Sequence, residues 1–302
     1  MHPYSTSAYA RSLFHVGRVV PVEEWGCNVI ARTVPAGGED IVGCYPIATL
    51  SKDADLSGGL ERLRAAGFVS ATLTLDDFHR PALEALSHAF DVVRPFKTHY
   101  VHRGASGNYK PAKDHRYKIN RANRRVVAKA IRLVDHLDAW TSLYDALIDM
   151  RRMTGVHAFP HASFAMLADM AGVQAIGGFV GEELVSCNLW VIHERRAHSH
   201  LVASNELGYT ERAAYAVSDA SARYFADAEI VNFGGGAGLG DEPGDGLAQF
   251  KRGFSNTTAR SYICGAILDR RTYEKLTQQR GISGDAYFPA YRTPAPVAST
   301  VP

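Results

Sequence analysis

A strand-like run, Val231-Asn232-Phe233, leads into three consecutive glycines, Gly234, Gly235 and Gly236, and about ten residues later Gly246-Leu247-Ala248-Gln249-Phe250-Lys251-Arg252 sets a lysine beside an aromatic ring. Glycine admits φ > 0 and lets the backbone approach a ligand with no Cβ between. A lysine just beyond such a loop is well sited to meet negative charge. A cation aimed at an oxygen that gains negative charge during a reaction lowers the barrier most where water is excluded. Lys251 is therefore the candidate catalytic residue, with Phe250 beside it, and Gly234, Gly235 and Gly236 are candidate substrate-binding positions. The competing reading is plainer: Lys251 and Arg252 solvate a short helix and the glycines turn the chain. Gly238 and Gly240 add to the run beyond what a turn needs.

A second feature is basic. Within Arg116 to Leu133, the residues Ile119, Ala122, Val126, Ala130 and Leu133 recur at steps of three and four, which predicts one helix with an apolar face. Lys118, Arg121, Arg125, Lys129 and Arg132 form the matching basic stripe, with Arg124 adjacent. Solvated helix faces often look like this. Cations at these steps with no acid among them repel one another, and neutralisation by phosphate is a reason to tolerate that. Lys118, Arg121, Arg124, Arg125 and Lys129 are candidate phosphate- or RNA-binding residues, and Tyr109 and Tyr117 offer stacking surfaces for unpaired bases.

Other groups carry less. Asp76 and Asp77 end a strand, where Asp76 is a candidate to orient an acceptor amine or take its proton; an N-cap before Pro81 is the alternative. His198 and His200 share one strand face. No carboxylate or cysteine stands at matching spacing and H-E-x-x-H is absent, so no metal is expected. No Ser-His-Asp or Cys-His arrangement stands out.

The elements that must position these residues alternate along the chain. Strands are predicted at Trp25–Thr33, Ile41–Leu50, Val69–Leu75 and Val92–His102, with helices at Gly58–Ala66 and Pro81–Phe90. A polar, glycine-containing segment, Arg103 to Lys113, reads as a connection. Beyond the basic helix come helices Leu137–Met153 and Ser163–Ala171. An antiparallel meander follows, Gln174–Val180, Leu184–Ile192 and Ala197–Ser204, with a turn at Gly181-Glu182-Glu183. Helix Thr210–Asp227, strand Glu229–Phe233, helix Leu247–Phe254 and strand Thr258–Leu268 complete the chain, and the tail from Gly281 is expected to be poorly ordered at its end. This is an α/β (α+β) pattern over two units, residues 1–107 and 108–302.

The 302 residues are 46% apolar and 21% charged with a net charge of only +2, so any nucleic-acid contact is local rather than global. Four dispersed cysteines, no leader and no apolar run of membrane length predict a soluble, cytoplasmic chain with reduced or buried thiols.

The second half runs helix–helix–β–β–β–helix–β–helix–β, and the chain resembles the Fem-type (FemX/FemAB-like) aminoacyltransferases of the GNAT superfamily. The resemblance lies in Gly67 to Leu75, Phe96 to Val101, the basic stretch from Lys118 to Lys129, Ser204-Asn205-Glu206, Asn232 to Gly236, and Phe250-Lys251 to Phe254. It implies tandem GNAT-like domains, each with a mixed, mainly antiparallel sheet flanked by helices, the first one truncated. It implies transfer of an aminoacyl group from aminoacyl-tRNA to the amine of a small peptide or metabolite, by a monomer with no cofactor. Lys251 then stabilises the oxyanion formed as the amine attacks the ester, basic residues near 118–132 contact phosphate or the tRNA end, and Asn205 and Glu206 join the substrate-binding set. GNAT enzymes that use acyl-coenzyme A carry a Q/R-x-x-G-x-G/A loop whose backbone N–H groups bind pyrophosphate. Here Ser204 to Ala213 has one glycine and two acids, which argues against coenzyme A. The alternatives are an acyl-coenzyme A-dependent N-acyltransferase of the same fold and a non-catalytic RNA- or ligand-binding module.

Overall fold

The computed structural model describes residues 1–104, 109–238, 244–281 and 287–294. Gly240, the boundary between residues 107 and 108, and the end of the C-terminal tail lie outside the described residues.

Strands β1 (Arg18–Val22), β2 (Cys27–Thr33) and β3 (Glu39–Gly43) form an antiparallel ribbon, preceded by helix α1 (Ser7–Ser12). Helix α2 (Leu56–Ala65), capped by the Asp55 carboxylate on Gly58 N–H, leads to β4 (Ser70–Asp76), helix α3 (Leu83–Ala89) and the long β5 (Val92–Arg103). Next come α4 (Lys113–Ala122), β6 (Val127–Ile131), α5 (Leu137–Arg151) and α6 (His161–Ala168). The meander is β7 (Val173–Val180), β8 (Glu183–His193) and β9 (Arg196–Ser204). It is followed by α7 (Glu206–Thr210), α8 (Ala213–Tyr224), β10 (Ile230–Gly235), α9 (Gly246–Arg252), β11 (Thr257–Ile267) and α10 (Arg270–Gln279).

Among the described residues all the strands join one 11-stranded sheet, in the order β1-β2-β3-β4-β11-β5-β10-β9-β8-β7-β6. The late strand β11 crosses back to lie antiparallel between β4 and β5, so each half of the chain completes the sheet of the other. Apolar burial on both faces holds it. Trp25, Leu60, Leu63, Leu73, Leu86 and Cys264 pack under α2 and α3. Tyr4, Trp140, Phe159, Phe164 and Leu189 pack under α1, α5 and α6. Ile119, Trp190, Val217, Phe233 and Phe254 pack under α4, α8 and α9. The four cysteines are free and buried. No helix among the described residues is long and apolar enough to cross a membrane.

The principal correction concerns the basic helix. It ends at Ala122, and residues 127–131 form an edge strand paired with β7, Val127 opposite Phe179 and Ile131 opposite Ala175. Ile119, Ala122 and Val126 are buried as their spacing requires. However, Val127 and Ile131 are β-branched and four apart, which also fits a strand, and the open edge of β7 decides the outcome. Lys129 and Arg132 are thereby removed from the helical stripe. The strand expected to run from Ile41 to Leu50 stops at Gly43, and Trp25 sits in a short 3₁₀ turn rather than in β2. The helix expected from Thr210 begins at Ala213, because Arg212 takes a left-handed conformation (φ 58°) between α7 and α8.

Candidate active site

β9 and β10 run parallel and pair only at Arg196–Ile230, Ala197–Val231 and His198–Asn232. Beyond those pairs β9 stays with β8 as far as Ser204, while β10 stays with β5 through an irregularity between Asn232 and Gly235. The two strands therefore part after His198 and Asn232. The gap opens beside the glycine run, on the side of β10 that faces β9.

Helix α9 is set against this gap by its N-cap. The Asp245 carboxylate accepts the N–H of Leu247 at 2.8 Å and of Ala237 at 2.6 Å, closing the loop onto the helix. Desolvation would raise the Asp245 pKa, but the N–H groups of Ala237, Leu247 and Ala248 together outweigh it and the carboxyl lies below its ordinary value. At the other side of α9, the Phe250 carbonyl accepts from His115 Nε2 of α4 at 2.9 Å. The Phe250 ring lies 4.9 Å from Tyr215 and 5.1 Å from Phe254, centroid to centroid. Phe250 thus anchors the helix that carries Lys251.

Lys251 extends its ammonium to the end of β10 and donates to the Gly235 carbonyl at 2.7 Å. From β5, Lys97 donates to the next carbonyl, Gly236, at 3.0 Å. Burial first, and then repulsion from Lys97, lower the Lys251 pKa to about 8 against the opposing pull of Asp245. Each glycine is required by a close approach. Gly234 has φ +81°, and a Cβ there would stand 3.2 Å from Lys251 Nζ. A Cβ on Gly235 would meet Lys97 at 3.1 Å, and one on Gly236 would overlap the Asp245 carboxylate.

Facing this group is a buried row of imidazoles. His99 of β5, the register partner of Gly235, meets the Asn232 amide at 3.1 Å. Burial pushes its pKa down to about 4, with Lys251 and Lys97 adding to the effect and Asp76 and Asn232 opposing it. The His198 ring lies 5.7 Å from that of His99. Next on β9, His200 bonds the Tyr4 hydroxyl at 3.2 Å, and burial lowers its pKa to about 3. Asp76, 1% exposed, accepts the N–H groups of Phe78 and His79 and faces His79 Nδ1 at 3.1 Å. It therefore holds the turn after β4 while placing its charge near His99.

The structure brings together Lys251, Phe250, Gly234, Gly235 and Gly236, with Asp76 on the same side through His99. It does not bring Asn205 and Glu206 there. Asn205 caps α7, accepting Gly208 N–H at 2.8 Å and donating to Glu183 at 2.8 Å. It lies six residues along β9 from Ser199, on the order of 20 Å at the rise of a strand. Glu206 is exposed in the first turn of α7. Of the basic set, Lys118 donates to Tyr215 at 3.2 Å, Arg121 and Arg124 are exposed on the α4 end, Arg125 pairs with Glu211 at 2.9 Å, and Lys129 lies over Phe179 on β6. No group of three or more His, Cys, Asp or Glu able to hold a metal occurs among the described residues. Lys97, His99, Asn232 and Asp245 went unassigned in the sequence. The signals there were the segments Phe96 to Val101 and Asn232 to Gly236, which carry the resemblance without a role for these residues, and Lys97 and His99 two apart in a strand, hence on one face.

No protein-family profile and no curated protein sequence matches the chain. Solved structures do. The C-terminal domain of a protein named as a lysylphosphatidylglycerol synthetase from Agrobacterium fabrum superposes with a TM-score of 0.62 at 14% identity, covering 92% of this chain and 93% of that one. FemX superposes with a TM-score of 0.62 at 11% identity over 91% and 95%, and L-PGS from Bacillus licheniformis with 0.56 at 11% over 89% and 93%. These likenesses span nearly the whole chain. The chain shares its fold with FemX and with the C-terminal domain of that named synthetase.

Proposed function

We propose that the protein is an acyltransferase that moves an aminoacyl group from aminoacyl-tRNA to an amine of a small peptide or metabolite, bound where β9 and β10 part. The observation that carries this reading is the enclosed Lys251 ammonium, held on Gly235 O where β9 and β10 part. In the reaction the amine nitrogen bonds the ester carbon and the C=O pair moves onto oxygen. Lys251 stabilises that oxyanion. The C=O reforms as the C–O bond to the terminal ribose breaks, and the proton lost by nitrogen leaves on the ribose hydroxyl. A cation in a dry, preorganised site is effective because it needs no reorganisation at the moment of reaction. One structural neighbour is named for making lysylphosphatidylglycerol, whose formation also moves an aminoacyl group, there onto a hydroxyl rather than an amine.

The loop after β9 favours tRNA over coenzyme A as donor. Its N–H at Gly208 is taken by Asn205, and the Gly208 backbone lies against the Val185 carbonyl so closely that a Cβ would reach 2.1 Å. The one glycine N–H of this loop is therefore not offered to a pyrophosphate. The test is incubation of the purified protein with each radiolabelled aminoacyl-tRNA and a pool of small amines. Label should pass to an alkali-stable amide, and the transfer should be abolished by ribonuclease treatment of the charged tRNA beforehand and lost in Lys251→Ala. Label passing only from acetyl-coenzyme A, with a rise in melting temperature on adding it, would overturn the reading.

A further inference from the structure

Asn232 ties the glycine run to the buried His99 imidazole. A backbone N–H only donates, so the side-chain atom of Asn232 that meets Gly234 N at 2.8 Å is the carbonyl oxygen. The other end of that amide is NH2, and it meets Nδ1 of His99 at 3.1 Å. Nδ1 must therefore accept. A neutral His99 then carries its one proton on Nε2. That N–H has no hydrogen-bond partner among the described residues, although His99 is only 6% exposed. Nε2 is not among the fully enclosed atoms without a partner, so it keeps an open approach, and it lies one residue pair from Lys251, since His99 is the register partner of Gly235, the acceptor of Lys251 Nζ.

The groups around His99 keep it neutral. Lys97 on β5 and Lys251 on α9 are cations, and His198 on β9 is a neighbouring imidazole. Asp76 on β4 is the one acid acting on it, and its Oδ1 is occupied by Phe78, His79 and the His79 ring. Burial, the largest influence, also favours the uncharged form.

We propose that the Nε2–H of His99 is a second catalytic donor to the acyl oxygen, beside Lys251, with Asn232 as the positioning residue that fixes its tautomer. This rests on the acyl-transfer reading above. As the amine nitrogen bonds the carbonyl carbon, the C=O pair moves to oxygen and the Nε2–H bond to that oxygen strengthens. The His99 proton is not transferred, so the imidazole is unchanged when the C=O reforms and the ester C–O bond breaks. A neutral donor at this place offers a hydrogen bond without adding a third charge beside two lysines.

The experiment is two-bond 1H–15N correlation on histidine-labelled protein, followed by titration with a 3′-aminoacylamino analogue of 3′-deoxyadenosine, whose amide cannot be cleaved as an ester. His99 should show a protonated Nε2 and a bare Nδ1 at all pH values above about 5, and bound analogue should shift the Nε2–H resonance. Asn232→Asp should move the proton to Nδ1 or leave the ring charged, and it should lower kcat about 10²-fold with KM little changed. His99→Gln, which keeps an N–H, should retain more kcat than His99→Phe, with both melting as cooperatively as the parent. A proton found on Nδ1 in the parent protein overturns the assignment, as does bound analogue that leaves His99 unmoved or equal kcat in His99→Phe. Absence of transfer from any charged tRNA, with the tautomer and analogue shift as expected, would sink the donor class while leaving His99 as the acyl-oxygen donor.

Discussion

Lys251 Nζ and the α-carbon of Gly234 are packed so that a methyl group on the glycine would stand 3.2 Å from the ammonium. The glycine itself holds φ at +81°. Gly234→Ala therefore meets two penalties. The left-handed backbone costs an L-residue about 1–2 kcal/mol, and the methyl displaces the ammonium by a few tenths of an ångström. We expect a stability loss of about 1–2 kcal/mol by denaturant unfolding and a fall in kcat of about tenfold or more, since small misplacements of a catalytic group are expensive. A variant that loses stability but keeps kcat would show that Lys251 is not positioned by this contact.

Lys251 also predicts a pH signature. Its folded pKa is about 8 against an ordinary 10.5. Below pH 8 both folded and unfolded chains hold the proton, so the penalty for enclosing the charge is present in full. Between about pH 8 and 10.5 the unfolded chain still binds a proton that the folded chain has released, so stability rises with pH. The shift corresponds to about 3 kcal/mol. Lys251→Met, which lacks the group, should lose its stability advantage over the parent by up to that amount across this window, as read by urea unfolding at matched pH. Activity should run the opposite way, with kcat falling above about pH 8 as the ammonium is lost. A kcat that climbs through that range would make Lys251 a base rather than an oxyanion donor.

Legibility in the sequence followed how local each signal was. The β7–β8–β9 meander could be read because Gly181-Glu182 turns the chain between two alternating runs. The glycine run and Phe250-Lys251 could be read because both lie within about twenty residues. α4 and β6 were confounded because Ile119, Ala122 and Val126 keep a helical step into a segment whose Val127 and Ile131 then pair with β7; the periodicity is ambiguous there, and the neighbouring strand settles it. β11 lying between β4 and β5 joins residues nearly two hundred apart, such as Ser261 and Asp76, with no local trace. The His99–Asn232 contact spans 133 residues, and nothing near either residue announces the other.

Asn205 separates structural from catalytic roles. Its side chain caps α7 through Gly208 N–H at 2.8 Å, and it stands far along β9 from Lys251. Asn205→Ala should cost about 1 kcal/mol of stability, the usual loss for an N-cap, with kcat unchanged once the protein is folded. If thermal unfolding were unaffected while kcat dropped, Asn205 would have to contact substrate after all.

The basic residues make a prediction about salt. Arg121 and Arg124 are exposed on the end of α4, and His115 near the other end of α4 bonds the helix carrying Lys251, so a tRNA lying along α4 would bring its phosphates to these charges. Each phosphate they neutralise releases counterions and adds about 0.7–0.9 to the slope of log affinity against log salt. Arg121→Ala with Arg124→Ala should therefore weaken tRNA binding and flatten that slope by about 1–2, measured by filter binding over a range of potassium chloride. Arg125 is already paired with Glu211 at 2.9 Å, and its pair is exposed enough to be worth little. Arg125→Ala should then change the slope less than either neighbour does. Lys129 lies on β6, over the Phe179 ring at 5.0 Å, and Lys129→Ala should leave the slope at its parental value. A slope unchanged in the double variant would place the RNA elsewhere on the molecule, and one altered equally by all four would mean a diffuse field rather than contacts at the α4 end.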